Sequence, residues 1–179
     1  MLSITIPATE YYDEVNDSFV NIKEQALTLE HSLVSISKWE AKWHVPFLSS
    51  TSMTDEQTID YIRCMTITKN VDPLVYYGLT YENIKTVSEY IADPMTATTI
   101  NEHNKAPGRG IVTSEQIYYW MIALNIPYEF ERWHLNRLLT LIKICNIENQ
   151  PKEKMSAGKL ASRNRALNAA RKKKFNTHG

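Results

Sequence analysis

Histidine and cysteine are the residues of this chain whose side chains are best suited to catalysis or metal binding. The 179-residue sequence contains five histidines and two cysteines. The histidines never occur four residues apart or beside a cysteine, so a metal site would have to be assembled in three dimensions. Cys64 and Cys145 lie far apart in apolar segments, and we interpret them as free, buried thiols. The sequence therefore predicts neither a metal ion nor a cofactor.

Two tryptophan-histidine pairs, Trp43-His44 and Trp133-His134, are the next candidates for acid-base chemistry. A buried imidazole needs hydrogen-bond partners whether or not it is catalytic. We therefore interpret both pairs as packing residues with a hydrogen-bonded imidazole.

Neighbouring carboxylates do not change this interpretation. Glu30 stands next to His31, and Glu129 and Glu131 precede the second pair. Acidic residues in the first turn of a helix complement its dipole, which explains the latter two. The sequence has neither a Gly-x-Ser-x-Gly elbow nor a complete glycine-rich phosphate loop. We therefore predict that the protein is not an enzyme.

Charge is unevenly distributed along the chain. The totals balance, with 20 Lys and Arg against 20 Asp and Glu. Residues 151–179 hold nine of the basic residues and a single acid, Glu153, which leaves eleven basic and nineteen acidic residues in 1–150. A basic tail on an acidic body is typical of an interaction protein, whose tail meets a polyanion, an acidic partner or its own body.

The basic tail carries the candidate partner-binding residues. No acidic residue occurs from Lys154 onward, and like charges at this density destabilise an isolated helix, so we expect full ordering only on a partner. Nucleic acid would bind in a salt-sensitive, sequence-independent way, but Phe175 is the tail's only aromatic residue for stacking. A partner protein is favoured, while self-docking and nucleic acid stay open. The candidate residues are Lys159, Arg163, Arg165, Arg171, Lys172, Lys173 and Lys174.

The N-terminal segment is the part of the chain with the pattern of β-structure. Residues 3–24 mix alternating apolar and aromatic residues around a turn signal, Val15-Asn16-Asp17-Ser18, which predicts a short β-hairpin or an extended arm. Strand and helix both stay open for residues 27–33, and a helix is favoured after His31.

Three helices are predicted in the middle of the chain. A capping box at Thr54 predicts a helix over about residues 55–68. An apolar stripe of Ile84, Val87, Tyr90 and Ile91 predicts another helix, which ends before Pro94. Asp72-Pro73 predicts a short helix between them. Residues 95–112, rich in Thr, Asn, Pro and Gly, predict an exposed loop or hinge.

The C-terminal half is the most strongly helical. Thr113 is predicted to cap a helix over 114–126 with an apolar stripe of Ile117, Trp120, Met121 and Leu124. Residues 128–147 carry two adjacent apolar stripes and predict one central core helix packed against it. A last helix is predicted from Ser156 to about Lys174. The two stripes are Leu135, Leu138, Leu139, Ile142 and Cys145, and Phe130, Trp133, Arg137, Leu141 and Ile144.

These elements predict a mainly α fold, a small helical domain with a short N-terminal β-hairpin or extended arm and a basic C-terminal helix. We predict an N-terminal arm or hairpin over 1–24, a helical body over 25–150 and a basic helix or tail over 151–179. The start lacks the features of a signal peptide, and no stretch has the roughly 18 apolar residues of a membrane span. We therefore expect a soluble, intracellular protein without a membrane partner.

Several stretches resemble proteins from the tail-gene modules of long-tailed bacteriophages, a family commonly assigned as tail assembly chaperones. The resemblance covers most of the chain but brings no catalytic or ligand residues with it. It is carried by Leu29 to Glu40, by Asp93-Pro94-Met95-Thr96-Ala97-Thr98-Thr99, by Ile126 to Glu129 with Trp133 to Arg137, and by Arg163 to Asn168 with Ala170-Arg171-Lys172.

The resemblance implies a non-enzymatic role in tail assembly in the host cytoplasm, through binding of the tape measure protein and the tail tube protein. A helical module can cover extended amphipathic surface reversibly through helix-in-groove contacts. Two alternatives stay open: a virion structural protein, such as a tail or head-tail connector subunit, and a nucleic-acid-binding protein that uses the basic tail. The sequence also leaves a homo-oligomer open.

Overall fold

The computed structural model describes residues 1–13, 17–50, 52–100, 111–149 and 157–175. Within these ranges the chain is mainly helical with small antiparallel sheets at its N-terminus, as the sequence predicts. The strands are β1 (Leu2–Ile6), β2 (Thr9–Asp13), β3 (Ser18–Ile22) and β4 (Gln25–Leu29). The α-helices are α1 (Leu33–Trp43), α2 (Asp55–Met65), α3 (Tyr81–Ala92), α4 (Ser114–Ala123), α5 (Leu135–Glu148) and α6 (Ala157–Phe175).

The chain divides into two compact units, Met1–Asn146 and Ile147–Gly179. The first unit contains the sheet and the apolar core. In the described ranges, no helix combines the length and the apolar character needed to cross a membrane.

The N-terminal strands form a long antiparallel ribbon. Strand β1 pairs with β4 and β2 pairs with β3, and the same register runs through both ladders. Pro7 lies between β1 and β2 and has no N–H to donate, which accounts for the break between the ladders. The predicted hairpin is therefore confirmed, although it is longer than expected and reaches Leu29. Of its predicted turn, Val15 and Asn16 lie outside the described residues.

Residues 27–33, which the sequence left open between strand and helix, contain both. Leu27 and Leu29 alternate into the core with 1% and 0% of their surface exposed, which is strand periodicity. Helix α1 begins at Leu33, as the preference for helix after His31 predicted. The Ser32 backbone N–H donates to Ser35 Oγ at 3.0 Å and so is satisfied at the helix start.

Helix α2 ends at Met65 rather than near residue 68, because the following backbone pairs with β4. The Ile67 N–H donates to the Thr28 carbonyl at 2.9 Å, and the Glu30 N–H donates to the Met65 carbonyl at 2.8 Å. A backbone that extends a sheet cannot also continue a helix. The sequence prediction for this helix end was wrong for that reason.

The predicted capping box at Thr54 is present, and the structure contains another at Thr80 that was not predicted. The Gln57 N–H donates to Thr54 Oγ1 at 3.2 Å, and the Thr54 N–H donates to Gln57 Oε1 at 3.0 Å. Thr80 and Asn83 make the same reciprocal pair at 3.2 Å in each direction. The short helix predicted at Asp72-Pro73 is a 3₁₀ helix, Pro73–Gly78.

The predicted cap of α4 was wrong, because the acceptor comes from another helix. The Thr113 side chain makes no capping hydrogen bond. Instead Glu40 of α1, only 8% exposed, accepts from the Ser114 N–H through Oε2 at 2.8 Å and from the Phe47 N–H through Oε1 at 2.8 Å. One carboxylate therefore fixes the start of α4 and of the 3₁₀ helix Phe47–Ser49. Helix α4 ends at Ala123, short of the predicted residue 126.

Glu40→Gln should lower the free energy of unfolding by about 1–3 kcal/mol, because the amide presents a donor to one of two buried N–H donors. Urea unfolding would measure the change. Glu89→Gln, at an exposed position of α3, is the matched control and should stay within about 0.5 kcal/mol of the wild type. Equal stability of the two variants would contradict a bridging role for Glu40.

The single core helix predicted over 128–147 is also wrong. Tyr128–Arg132 form a 3₁₀ helix, and α5 begins only at Leu135, whose N–H donates to the His31 carbonyl at 3.0 Å. In the second predicted stripe, the Phe130 and Trp133 rings stack at 4.0 Å and the Arg137 guanidinium covers Trp133 at 4.0 Å. That stripe is partly exposed surface. The buried residues of α5 come from the first stripe: Leu135, Leu138 and Ile142.

The two cysteines are free, as predicted, but half-buried rather than buried. Burial raises the pKa of the Cys64 thiol to about 11, so Cys64 is a poor nucleophile at neutral pH.

Two sequence predictions fall wholly or partly outside the described residues. Of the predicted loop at 95–112, residues 101–110 with the Pro107-Gly108-Arg109-Gly110 cluster lie outside them. So do Pro151 and the start of the basic tail. The last predicted helix corresponds to α6, Ala157–Phe175.

Candidate functional site

Two histidines far apart in sequence meet in the core. The His31 and His134 rings pack edge to face, with centroids 4.9 Å apart. His31 is 2% exposed, and its Nδ1 shares a 2.6 Å hydrogen bond with the Tyr61 hydroxyl. Tyr61 in turn lies 3.3 Å from Ser35 Oγ. This cluster joins the start of α1 to α2 and to the start of α5.

Only one of the two ring nitrogens of His134 has a hydrogen-bond partner among the described residues. The sequence had led us to expect a fully hydrogen-bonded imidazole in the Trp133-His134 pair. Its Nε2 lies 2.9 Å from the Tyr90 carbonyl oxygen, which can only accept, so Nε2 carries the proton. Its Nδ1 is therefore a bare acceptor, and it is buried without a hydrogen-bond partner among the described residues. Neutral imidazole suits this environment, because a second ring proton would have no acceptor.

Burial keeps both imidazoles neutral. Burial, together with a smaller effect of the neighbouring His134, lowers the pKa of His31 to about 3. Burial also lowers the pKa of His134, against the opposing effect of the Tyr90 carbonyl. A side chain as deeply buried as His31 cannot reach a substrate, so the pair stabilises the core. Among the described residues, no group of three His, Cys, Asp or Glu is placed to hold a metal ion.

The other predicted pair, Trp43-His44, separates in the structure. His44 ends α1 in the left-handed conformation, with φ of 54°, and its side chain is exposed rather than packed. The Trp43 indole N–H donates to Asp60 Oδ2 at 2.9 Å, and Lys42 Nζ lies 2.5 Å from Oδ1. Burial alone would raise the pKa of Asp60, but these hydrogen bonds and the charges of Lys42 and Arg63 lower it. This site stabilises the packing of α1 on α2.

The carboxylates that precede His134 are not at the start of an α-helix. Glu129 and Glu131 lie in the 3₁₀ helix before α5. Glu131 Oε2 accepts a hydrogen bond from the Tyr118 hydroxyl at 2.9 Å and so links this segment to α4.

The candidate partner-binding residues lie on α6. Lys159 belongs to this helix by its backbone, and nothing is described of its side chain. The other six are exposed, and Lys174 Nζ lies 5.8 Å from the ring centroid of Phe175. They are Arg163, Arg165, Arg171, Lys172, Lys173 and Lys174.

Basic residues surround α6 rather than forming one face. Successive residues of an α-helix are about 100° apart, so the four consecutive residues Arg171 to Lys174 cover all of its sides. Their position in the last turn complements the helix dipole. Such a helix attracts anionic surfaces from many directions without selecting a sequence.

A second exposed surface lies on α4. Tyr119 and Ile122 are 67% and 74% exposed, and Tyr128, which follows the helix, is 65% exposed. Tyr118 connects them, because it precedes Tyr119 and its ring stacks on Tyr128 with centroids 5.8 Å apart. We call Tyr119, Ile122 and Tyr128 the α4 outer face.

Sequence reasoning found the buried side of α4 and missed this face. Ile117 and Met121 of the predicted stripe are buried at 0% and 2% exposure. The missed signal is that apolar and aromatic residues also occupy the opposite side of the helix, where a surface helix normally carries polar residues.

Comparisons with protein-family models, with curated proteins and with solved structures found no match to this chain.

Proposed function

We propose that this protein is a non-enzymatic phage tail assembly protein that binds the tape measure and tail tube proteins during tail morphogenesis. The observation that carries the proposal is the exposed basic helix α6, which belongs to a compact unit separate from the acidic body. The resemblance of the sequence to tail-module proteins supplies the identity of the partners.

The charges and exposure of α6 support binding rather than chemistry. Its described basic side chains are exposed, and residues 154–179 contain no acid. Charge complementarity of this kind accelerates encounter with an acidic partner and makes the complex salt-sensitive. The most strongly perturbed histidine, His31, is instead locked inside the core.

Co-expression with the tape measure and tube proteins encoded in the same genome tests the proposal. The full chain should co-purify with one of them. The triple variant Lys172→Gln, Lys173→Gln and Lys174→Gln should reduce the recovered complex by roughly tenfold at low salt, because three charges that steer and hold the partner are lost.

The matched control removes three exposed lysines of the body, Lys23, Lys69 and Lys85, by the same change to glutamine. It should leave complex recovery near the wild-type level. If both triple variants lost the same amount of complex, the loss would depend on net charge alone. That result would overturn a role for α6. Co-purification of nucleic acid instead, with an affinity that falls steeply with salt, would favour the nucleic-acid alternative.

Mass spectrometry of purified virions and of the lysate separates a chaperone from a structural component. An assembly factor should be abundant in the lysate and absent from finished particles. Many copies per particle would instead identify a tail or connector subunit.

A further inference from the structure

We propose that the α4 outer face is the docking site for helix α6 of a second copy of this chain. Tyr119 and Ile122 are three residues apart and so lie on one side of α4, and Tyr128 stacks on Tyr118, the residue before Tyr119. Exposed apolar and aromatic side chains grouped beside charged residues are typical of a protein-protein contact.

The charges near the α4 outer face favour a basic binding partner. From Ile111 to Glu131 the chain contains three acids, Glu115, Glu129 and Glu131, and no Lys or Arg, and the first base after them is Arg132. Glu115 lies on the exposed side of α4, four residues before Tyr119, so the two are neighbours on the helix surface. Glu129 directly follows Tyr128 and is also exposed.

Helix α6 has the complementary chemistry. Leu167 and Phe175 are 46% and 68% exposed, and their spacing of eight residues places them on one side of the helix. Arg171 lies between them on that side, and Lys174 adjoins Phe175. Two exposed apolar side chains with bases beside them therefore match exposed apolar side chains with acids beside them.

A second copy fits the charge of the whole chain as well. The formal net charge is zero, so long-range repulsion does not oppose association of two copies. The acidic body of one copy attracts the basic tail of another. Because the two surfaces differ, the contact is heterologous. After one contact, one copy keeps a free α4 outer face and the other keeps a free α6, so further copies can add.

Sedimentation velocity of the full chain, without any other protein, tests this. The wild type should form dimers or larger species whose dissociation constant rises roughly tenfold between about 0.05 M and about 0.5 M salt. Tyr119→Lys should abolish association, because it places a cation in the apolar face where the basic helix would bind. Tyr81→Lys, at a 77% exposed tyrosine on α3, is the matched control and should associate like the wild type.

A mixing experiment decides whether the contact joins α6 to α4. The face variant Tyr119→Lys and the tail variant Arg171→Glu with Lys174→Glu should each stay monomeric. Mixed, they should form a heterodimer, because one supplies an intact α6 and the other an intact α4 outer face. A monomeric wild type, a mixture that fails to associate, or a Tyr119→Lys variant that still self-associates would overturn the proposal. Because no phage partner is present, these outcomes do not depend on the proposed function.

Discussion

Trp39→Ala should lower the free energy of unfolding by about 3–5 kcal/mol, a large share of the roughly 5–15 kcal/mol of a typical domain. Trp39 is fully buried at 0% exposure, and the Phe47 and Tyr61 rings pack edge-on against it at 5.4 Å and 6.5 Å. Removing the indole leaves a cavity between α1 and α2 and takes a donor from the Gln57 carbonyl, 3.0 Å from Nε1. Thermal and urea unfolding of the full chain would measure the loss.

Trp39→Phe separates the packing of the indole from its hydrogen bond, and Tyr81→Ala serves as the control. Trp39→Phe keeps most of the packing and removes the N–H, so about 1–2 kcal/mol should be lost. Tyr81→Ala, at an exposed position of α3, should change stability by less than about 0.5 kcal/mol. If Trp39→Ala behaved like Tyr81→Ala, Trp39 would not be at the centre of the core.

Features set by residues close in sequence were predictable. The capping box at Thr54 depends on a partner three residues away, so its pattern is complete in the sequence. The strand and helix within residues 27–33 were harder, because alternation and helical spacing overlap there. The structure separates them at His31, which lies between the strand and helix α1.

Features set by distant residues were not predictable. The cap of α4 comes from Glu40, which is 74 residues from Ser114, so the local Thr113 signal was misleading. Helix α2 ends early because its continuation pairs with β4. The second stripe at 130–144 resembled a buried face, yet stacking of Trp133 on Phe130 keeps it at the surface.

The two candidate interaction surfaces, α6 and the α4 outer face, also differ in whether the sequence predicted them. The charge of α6 is a property of composition and was visible at once. The α4 outer face was not, because the predicted stripe gave Ile117 and Met121 as the buried side, and only the fold shows that Tyr119 and Ile122 are left exposed. Both surfaces are needed for the proposed contact between copies.

Acid should destabilise the protein below about pH 6.5 through its buried histidines. The folded state lowers the pKa of His31 to about 3, whereas an unfolded histidine titrates near 6.5. Between these values the unfolded chain binds a proton that the folded protein excludes, so stability falls as the pH falls. The slope is about 1.4 kcal/mol per pH unit for His31, and the lowered pKa of His134 adds to it.

Urea unfolding at pH values from about 7.5 to 5 measures this slope above the range in which most carboxylates titrate. His31→Asn can keep a hydrogen-bonding atom near Tyr61 but cannot titrate, so its slope should be shallower than that of the wild type even if it is less stable throughout. His44→Asn is the matched control, because it removes an exposed imidazole at a left-handed position that asparagine tolerates. It leaves the buried pair intact and should keep the steeper slope. If the unfolding free energies of the two variants changed equally with pH, the His31 imidazole would be protonated in the folded protein. The uncharged His31-His134 contact could not then explain the acid sensitivity.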